Sequence, residues 1–267
     1  ARSLSNLSAW LSAVGRRSQA PAAAEEAVKI YGLLAQANAA AYEPELAGSL
    51  SNLGIGLSAV GQREEALTAE LEAVEIRRRL VEGNPTAYNP ELATSLSNLS
   101  ARLCEAGRHG EAPAAAEEAV KIYRLLAQAN AAAYKPDLAR SLSNLGIGLS
   151  VIGRQEEALT ATEEAVEIYR GLAEGNRAAH SPDLAASLNV WAMLLAIRGD
   201  LSEALSVTGL AVECYRLHIA TMPSLLLRLH ATLDLQAGVL DALERPEEAA
   251  AVRRWLTENP LPPDSHI

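Results

Sequence analysis

Apolar residues recur at three- and four-residue spacing along nearly the whole chain, and glycines interrupt the pattern at regular distances. Leu50, Leu53, Leu57 and Val60 fall on one stripe of a helix. This first helix, A, ends at Gly61, because glycine readily takes the left-handed conformation that closes a helix. Its start reads as Pro44-Glu45-Leu46: proline suits the first turn, and an acid complements the positive end of the helix dipole. A second helix, B, is predicted over about residues 63–81. There Ala66, Ala73, Ile76 and Leu80 face inward and Glu64, Glu65, Glu72 and Glu75 face solvent.

The two-helix pattern returns every 46 residues, marked by Ser-Leu-Ser-Asn-Leu at 3–7, 49–53, 95–99 and 141–145, with a diverged copy at Ser187-Leu188-Asn189. Each copy leads to a glycine at constant offset (Gly15, Gly61, Gly107, Gly153, Gly199) and five residues later to an alanine (Ala20, Ala66, Ala112, Ala158, Ala204). The repeats are therefore set at 1–46, 47–92, 93–138, 139–184 and a divergent 185–230. A degenerate capping repeat occupies 231–258, with Arg245 in the glycine column, and 259–267 is a tail; all are expected to form one solenoid domain. The first repeat resembles the third and the second the fourth, so a two-repeat block has been duplicated, and repetition of a residue does not by itself show that it is used. A single helix pair cannot bury its own leucines. Each buried leucine contributes about 1.5–3 kcal/mol, and that burial needs a neighbouring repeat, so the pairs must stack.

Composition narrows the function. Aromatics make up 4 %, phenylalanine is absent, and helix formers outnumber strand formers, which points to an all-α protein. A net charge of -10 argues against nucleic acid, which needs a concentrated basic face. The run Arg77, Arg78, Arg79 reads as the solvated side of a helix B. No apolar stretch reaches the length of a membrane span and no signal segment opens the chain. Cys104 and Cys214 lie far apart inside helical patterns, which suits free thiols and a reducing cytoplasm. The five histidines show no metal-ligand spacing, no glycine-rich phosphate loop occurs, and the Glu-Glu pairs of helix B read as solvated, so no metal, cofactor or catalytic residue is assigned. Tyr31, Tyr123, Tyr169 and Tyr215 recur on helix B and are expected to pack there with exposed hydroxyls.

The spacing Leu50-x2-Leu53-Gly54-x2-Leu57, followed by Ala66 and Ala73, resembles the tetratricopeptide repeat. Leucines stand in place of that family's aromatic positions, its B-helix phenylalanine position holds Ala24, Glu70, Ala116 or Thr162, and the unit is longer. The extra residues are expected to lengthen helix B and an Asn-Pro/Ala-Tyr-x-Pro linker. The long unit is most similar to the kinesin-light-chain-like subclass. The resemblance implies a right-handed superhelical solenoid of antiparallel helix pairs with the A helices lining a concave surface. It further implies that Asn6, Asn52, Asn98 and Asn144 hydrogen-bond the backbone of a bound extended peptide, since an asparagine amide offers both a donor and an acceptor. Ser51, Ser97 and Ser143 lie beside them. Arg2, Arg102 and Arg140 supply candidate specificity charges, and Ile55, Ile147 and Met193 apolar contacts. With about 8–10 Å between packed helices and about 3.3 Å per extended residue, four asparagines would address roughly nine to twelve ligand residues.

The reading is therefore a non-catalytic protein- or peptide-binding scaffold. By resemblance to repeat arrays that accompany signalling ATPases and caspase-like proteases, it is the C-terminal sensor or interaction module of a larger bacterial signalling protein. The chain begins at Ala1 inside a helix A and is expected to be cut from something longer. The alternative is structural: a homo-oligomer made by end-to-end stacking of the solenoid. The assigned core predicts that Leu53→Ala or Leu99→Ala costs about 2–5 kcal/mol while Glu72→Ala costs little; equal shifts of the thermal midpoint would contradict it.

Overall fold

The computed structural model describes residues 2–13 and 19–261, with backbone alone at residues 5, 9, 12 and 13. Gly15, the Ser5 side chain and the end of the tail lie outside the described residues. The chain divides into two compact units, residues 1–129 and 130–266. The first holds α1 (Arg2–Ala13), α2 (Ala20–Ala37), α3 (Ala39–Ala59), α4 (Arg63–Gly83), α5 (Pro85–Glu105) and α6 (Ala112–Ala129). The second holds α7 (Ala131–Val151), α8 (Gln155–Gly175), α9 (Arg177–Arg198) and α10 (Leu201–Arg216), then a single 3-10 turn (Pro223–Leu225), α11 (Leu226–Ala242) and α12 (Pro246–Glu258). Among the described residues there is no strand. In each unit consecutive helices pack on one another, and odd-numbered helices also touch the next odd-numbered helix: α1 with α3, α3 with α5, α7 with α9, α9 with α11. These are the A helices, arranged side by side with the B helices behind them, as in a solenoid of helix pairs.

The A helices are longer than the sequence suggested. Asn38, Asn84, Asn130 and Asn176 are their N-caps, each side chain accepting a hydrogen bond from the amide three residues on (Ala41, Ala87, Ala133, Ala179), all at 3.2 Å. Each A helix therefore starts well before its proline, and Pro44, Pro90, Pro136 and Pro182 lie inside it. The linker expected from Asn-Pro/Ala-Tyr-x-Pro does not exist as a loop. The extra residues of the long repeat are the first turns of helix A, and one asparagine separates Ala37 from Ala39 and Gly83 from Pro85. A repeat boundary at 47 or 93 consequently falls within α3 or α5.

Gly61, Gly107, Gly153 and Gly199 close the A helices at φ of +82°, +75°, +82° and +97°. The amide after each glycine donates back to a carbonyl five residues earlier, as from Gln62 to Leu57 and Asp200 to Leu195. In the degenerate repeat the same bond runs from Arg245 to Leu240, and the left-handed residue is Glu244 at φ +59°, one position before the glycine column.

Where an A helix crosses its B helix, both partners are small. Ala20, Ala66, Ala112, Ala158 and Ala204 are all 0 % exposed. Ser8, Gly54 and Gly146 stand opposite Ala20, Ala66 and Ala158, and Ser100 and Ala192 fill the same column of the repeat. Ser8 donates to the Ala20 carbonyl at 2.9 Å. A Cβ added at Gly54 would lie 3.1 Å from the Ala66 carbonyl; one at Gly146 would lie 3.1 Å from the Ala158 carbonyl and overlap the Thr162 hydroxyl. The leucine stripe then fills the space beside each crossing. Leu67, Leu92, Leu96, Leu99 and Leu103 join Val74 and Ala112, Ala115 and Ala119 in one cluster across α4, α5 and α6. Leu99 is buried, whereas Leu53 is only half-buried, which puts Leu99→Ala nearer the top of the expected range.

Gly146→Ala should destabilise the second unit by about 1–3 kcal/mol. Gly171→Ala, inside α8 with nothing within 4 Å of the added carbon, should stabilise it by about 0.4–1 kcal/mol. Urea unfolding of the two variants beside the parent protein reads both signs, and a loss in both or a gain in both would refute the close crossing.

Candidate functional site

In the first unit the exposed side of the A helices forms a groove of about 350 Å³. Asn52 and Ile55 from α3 and Thr94 and Asn98 from α5 line its walls, and Arg2 from α1 stands at one edge. Tyr31 of α2 and Arg77 of α4 reach it from the B helices behind. Asn52 and Asn98 are half-buried, and among the described residues neither side chain makes a hydrogen bond. Two amides, each with an unused donor and acceptor, thus face one groove from successive repeats.

The floor of this groove departs from the repeat pattern. Tyr31, Tyr123, Tyr169 and Tyr215 occupy one column of helix B, and all four are buried. Two of the hydroxyls are bonded inside rather than exposed as expected: that of Tyr123 is 2.8 Å from the Thr94 hydroxyl and that of Tyr169 donates to the Pro136 carbonyl at 3.0 Å. Burial pushes the Tyr215 phenol up to about 12 and that of Tyr169 higher still. In the second repeat the column holds Arg77, 8 % exposed, and one helical face earlier Glu70, 0 % exposed, replaces Ala24, Ala116 and Thr162. Arg77 Nη1 donates to Ser51 Oγ at 2.8 Å and also to Ser95 Oγ. Ser51 Oγ donates to Glu70 Oε1 at 3.0 Å, so the acid and the base are linked through a hydroxyl; Glu70 Oε2 is buried without a partner. Burial raises the Glu70 carboxyl above its ordinary value, outweighing the Ser95 hydroxyl, the Arg77 charge and the Ser51 hydroxyl. Burial also lowers the Arg77 guanidinium, against the pull of Glu70. Reading the arginine run as one solvated face is therefore wrong for Arg77. It holds for Arg78 and Arg79, which are exposed and reach Glu118 and Glu43 at 2.6 and 3.0 Å.

The remaining candidates separate. Asn6 is exposed on α1, and Asn144, on α7 in the second unit, is half-buried and already engaged by a neighbour. The serine column is spent between helices, and of it Ser51 also lines the groove. Ser51 is buried in the network just described, Ser97 is 1 % exposed, and Ser143 shares a hydrogen bond with Ser187 at 2.8 Å. A residue one position before the asparagine is rotated about 100° round the helix, which points it at the next A helix. Ser51 with Ser95 and Ser143 with Ser187 accordingly staple A helix to A helix, and an interior serine such as Ser97 has no surface to offer a ligand. Arg102 is largely withdrawn and pairs with Glu105 at 3.0 Å, while Arg140 is exposed and pairs with Asp137 at 2.7 Å. Arg2 lies 3.7 Å from Glu45. Ile55 is exposed at the groove; Ile147 and Met193 are half-buried in the second unit, and Trp10 is exposed on α1. What sequence reading missed is Glu70 and Arg77 acting together. The signal was present, since each breaks a column that is otherwise small or aromatic.

Elsewhere in the first unit a more open depression of about 830 Å³ lies at the turns, lined by Glu64, Glu65, Cys104, Glu105 and His109 among others. Burial and the neighbouring Glu105 push the Cys104 thiol up, which opposes formation of a nucleophilic thiolate. Among the described residues no group of His, Cys, Asp and Glu could hold a metal ion, and no helix is long and apolar enough to cross a membrane. Both cysteines are free and half-buried.

The profile of the tetratricopeptide-repeat family matches residues 46–85, 92–130 and 138–180. Among solved structures, BtubC (BKLC) from P. vanneervenii superposes with a TM-score of 0.67 at 21 % identity, covering 91 % of this chain and 92 % of that one. A putative kinesin light chain of Podosopora anserina with nearly identical TPR-like repeats gives 0.58 at 19 % identity, covering 79 % and 92 %. PilF of Pseudomonas aeruginosa gives 0.57 at 16 % identity, covering 96 % and 90 %. At these identities the likeness is one of fold. No curated protein matches the chain by sequence.

Glu70 yields a pH prediction. Its folded-state pKa stands above its unfolded value, so the stability tied to this carboxyl is fully present below about 4.5, the ordinary carboxyl value, and is lost as pH rises through the folded pKa. Glu70→Gln should therefore gain stability relative to the parent protein at neutral pH, and the gain should shrink as the pH is lowered towards 4.5. Urea midpoints of both proteins across that range test it; a difference independent of pH would show that Glu70 does not titrate as its burial requires.

Proposed function

Since this chain is a tetratricopeptide-repeat protein, we propose that it is a non-catalytic scaffold that holds an extended peptide segment of a protein partner along its A helices. One observation carries the reading: the amides of Asn52 and Asn98, unpartnered and half-buried, face the same groove from successive repeats. An extended backbone presents an N–H and a C=O at each residue, and one asparagine amide complements such a pair in both directions. Ile55 supplies apolar contact beside them. Ser51 lies in the groove lining with its hydroxyl already bonded, and its pairing with Ser95 holds neighbouring A helices at the spacing that sets one asparagine relative to the next. Asn6 extends the same role on α1. Arg102 and Arg140, paired within their own helices, tune the surface charge.

The wider reading is an interaction or sensor module of a bacterial signalling protein. Its two free thiols suit a reducing cytoplasm. The phenols of Tyr169 and Tyr215 and the thiols of Cys104 and Cys214 are all raised, which makes them poor nucleophiles at neutral pH.

Peptides of about twelve residues selected on the parent protein from a random display library provide the probe. Each asparagine hydrogen bond is worth about 0.5–1.5 kcal/mol net. Asn52→Ala alone should therefore weaken a selected peptide modestly, and Asn52→Ala with Asn98→Ala by about tenfold, read by fluorescence anisotropy with helicity checked by circular dichroism. Unchanged affinity in the double variant would reject the asparagine ladder.

A further inference from the structure

A serine hydroxyl has one proton to donate. Ser51 gives its proton to Glu70 Oε1 at 3.0 Å, so the Ser51–Ser95 contact of 3.2 Å between α3 and α5 is carried by the proton of Ser95. That proton has a second claimant, because the Ser95 hydroxyl also favours the ionised form of Glu70. Arg77 does not settle the contest: its Nη1 donates to both serine oxygens and holds both in either case. The charge on Glu70 settles it. A hydrogen bond to an ionised acceptor is roughly twice as strong as one between neutral groups. A neutral carboxyl therefore leaves the Ser95 proton on Ser51. A carboxylate draws it away, and two oxygens then face each other with no proton between them.

Glu70 is placed to change state. It is 0 % exposed and its Oε2 is buried without a partner, so ionisation is costly there. The groups that face it are the Ser51 hydroxyl from α3, the Arg77 charge from its own helix, and the Ser95 hydroxyl and Arg102 charge from α5. All four favour the carboxylate, and burial outweighs them. Arg77 answers in turn to Glu70, to Glu91 on α5 and to Tyr123 on α6. The fourth repeat shows the contrasting arrangement. Ser143 and Ser187 are bonded at 2.8 Å, and the position of Glu70 is taken by Thr162, an uncharged residue whose hydroxyl donates to the Ala158 carbonyl of its own helix at 2.9 Å.

We propose that Glu70 is a proton-operated switch on the joint between α3 and α5. Its neutral form leaves the two A helices stapled; its ionisation, with the proton passing to solvent, releases the staple and loosens them. The switch goes beyond the peptide reading and operates whether or not the groove binds one. Asn52 and Asn98 ride on the same two helices, so the separation of their amides follows the state of the joint.

Amide protection factors from hydrogen exchange, followed by NMR without any ligand, read the joint, and the Glu70 carboxyl carbon resonance reads its protonation in the same samples. Ionisation lowers the stability of the whole unit, so protection around Ser51 and Ser95 is taken relative to α6, which shares the unit but not the joint. As pH rises from 4.5, the ordinary carboxyl value, through the Glu70 titration, this ratio should fall about three- to tenfold. Around Ser143 and Ser187, taken relative to α10, it should hold level. In Glu70→Gln, and in Glu70→Thr, which installs the residue of the fourth repeat, the ratio for α3 and α5 should keep one value across the range. The proposal is overturned if the ratio holds level in the parent protein while Glu70 titrates, since α6 then falls in proportion and ionisation merely destabilises the unit. It is equally overturned if Glu70 shows no titration above 4.5, or if the fall persists in either variant.

Discussion

The close crossing of each A helix on its B helix is the constraint from which the rest follows. Alanines at 0 % exposure meet serine, glycine or alanine, and at Gly54 and Gly146 even a methyl group would press on a backbone carbonyl. This proximity turns two amphipathic helices into a rigid hairpin and leaves the leucine stripe free to bridge to the next hairpin. Where larger or polar residues sit just off the crossing, as at Glu70 beside Gly54, the missing Cβ opposite is what gives them room.

The serines add a second, directional layer. Dispersion contacts between leucines hold neighbouring hairpins together but tolerate sliding, whereas the Ser51–Ser95 and Ser143–Ser187 hydrogen bonds set one helix height against the next. In the second repeat this staple also takes Arg77 and Glu70, so that a structural joint and the floor of the groove are built from the same hydroxyls.

Much of this was legible in the residues alone. The alanine column, the left-handed glycines and the exposed glutamates of helix B follow from helical period and steric size, and the structure places them as expected. X-Pro usually marks a helix boundary, but the asparagine cap six residues before the proline, Asn38 in the case of α3, starts the helix instead. The arginine run was misjudged for a geometric reason. Three consecutive helical residues sweep about 200°, so Arg77, Arg78 and Arg79 could not all face water, and the column position of Arg77, shared with four buried tyrosines, already said which one turned in.

The sequence by itself determined the two-helix unit, its period, its stacking and the side of helix A that carries the asparagines, because these depend on local periodicity and on residue size. Only the tertiary structure decided which polar residues are spent between helices and which stay open to the groove. Ser97 and Asn98 are adjacent in the chain, yet one is sealed in the interior and the other lines the groove. That division is set by where the neighbouring A helix lies, a distance measured across a repeat, which no local pattern encodes.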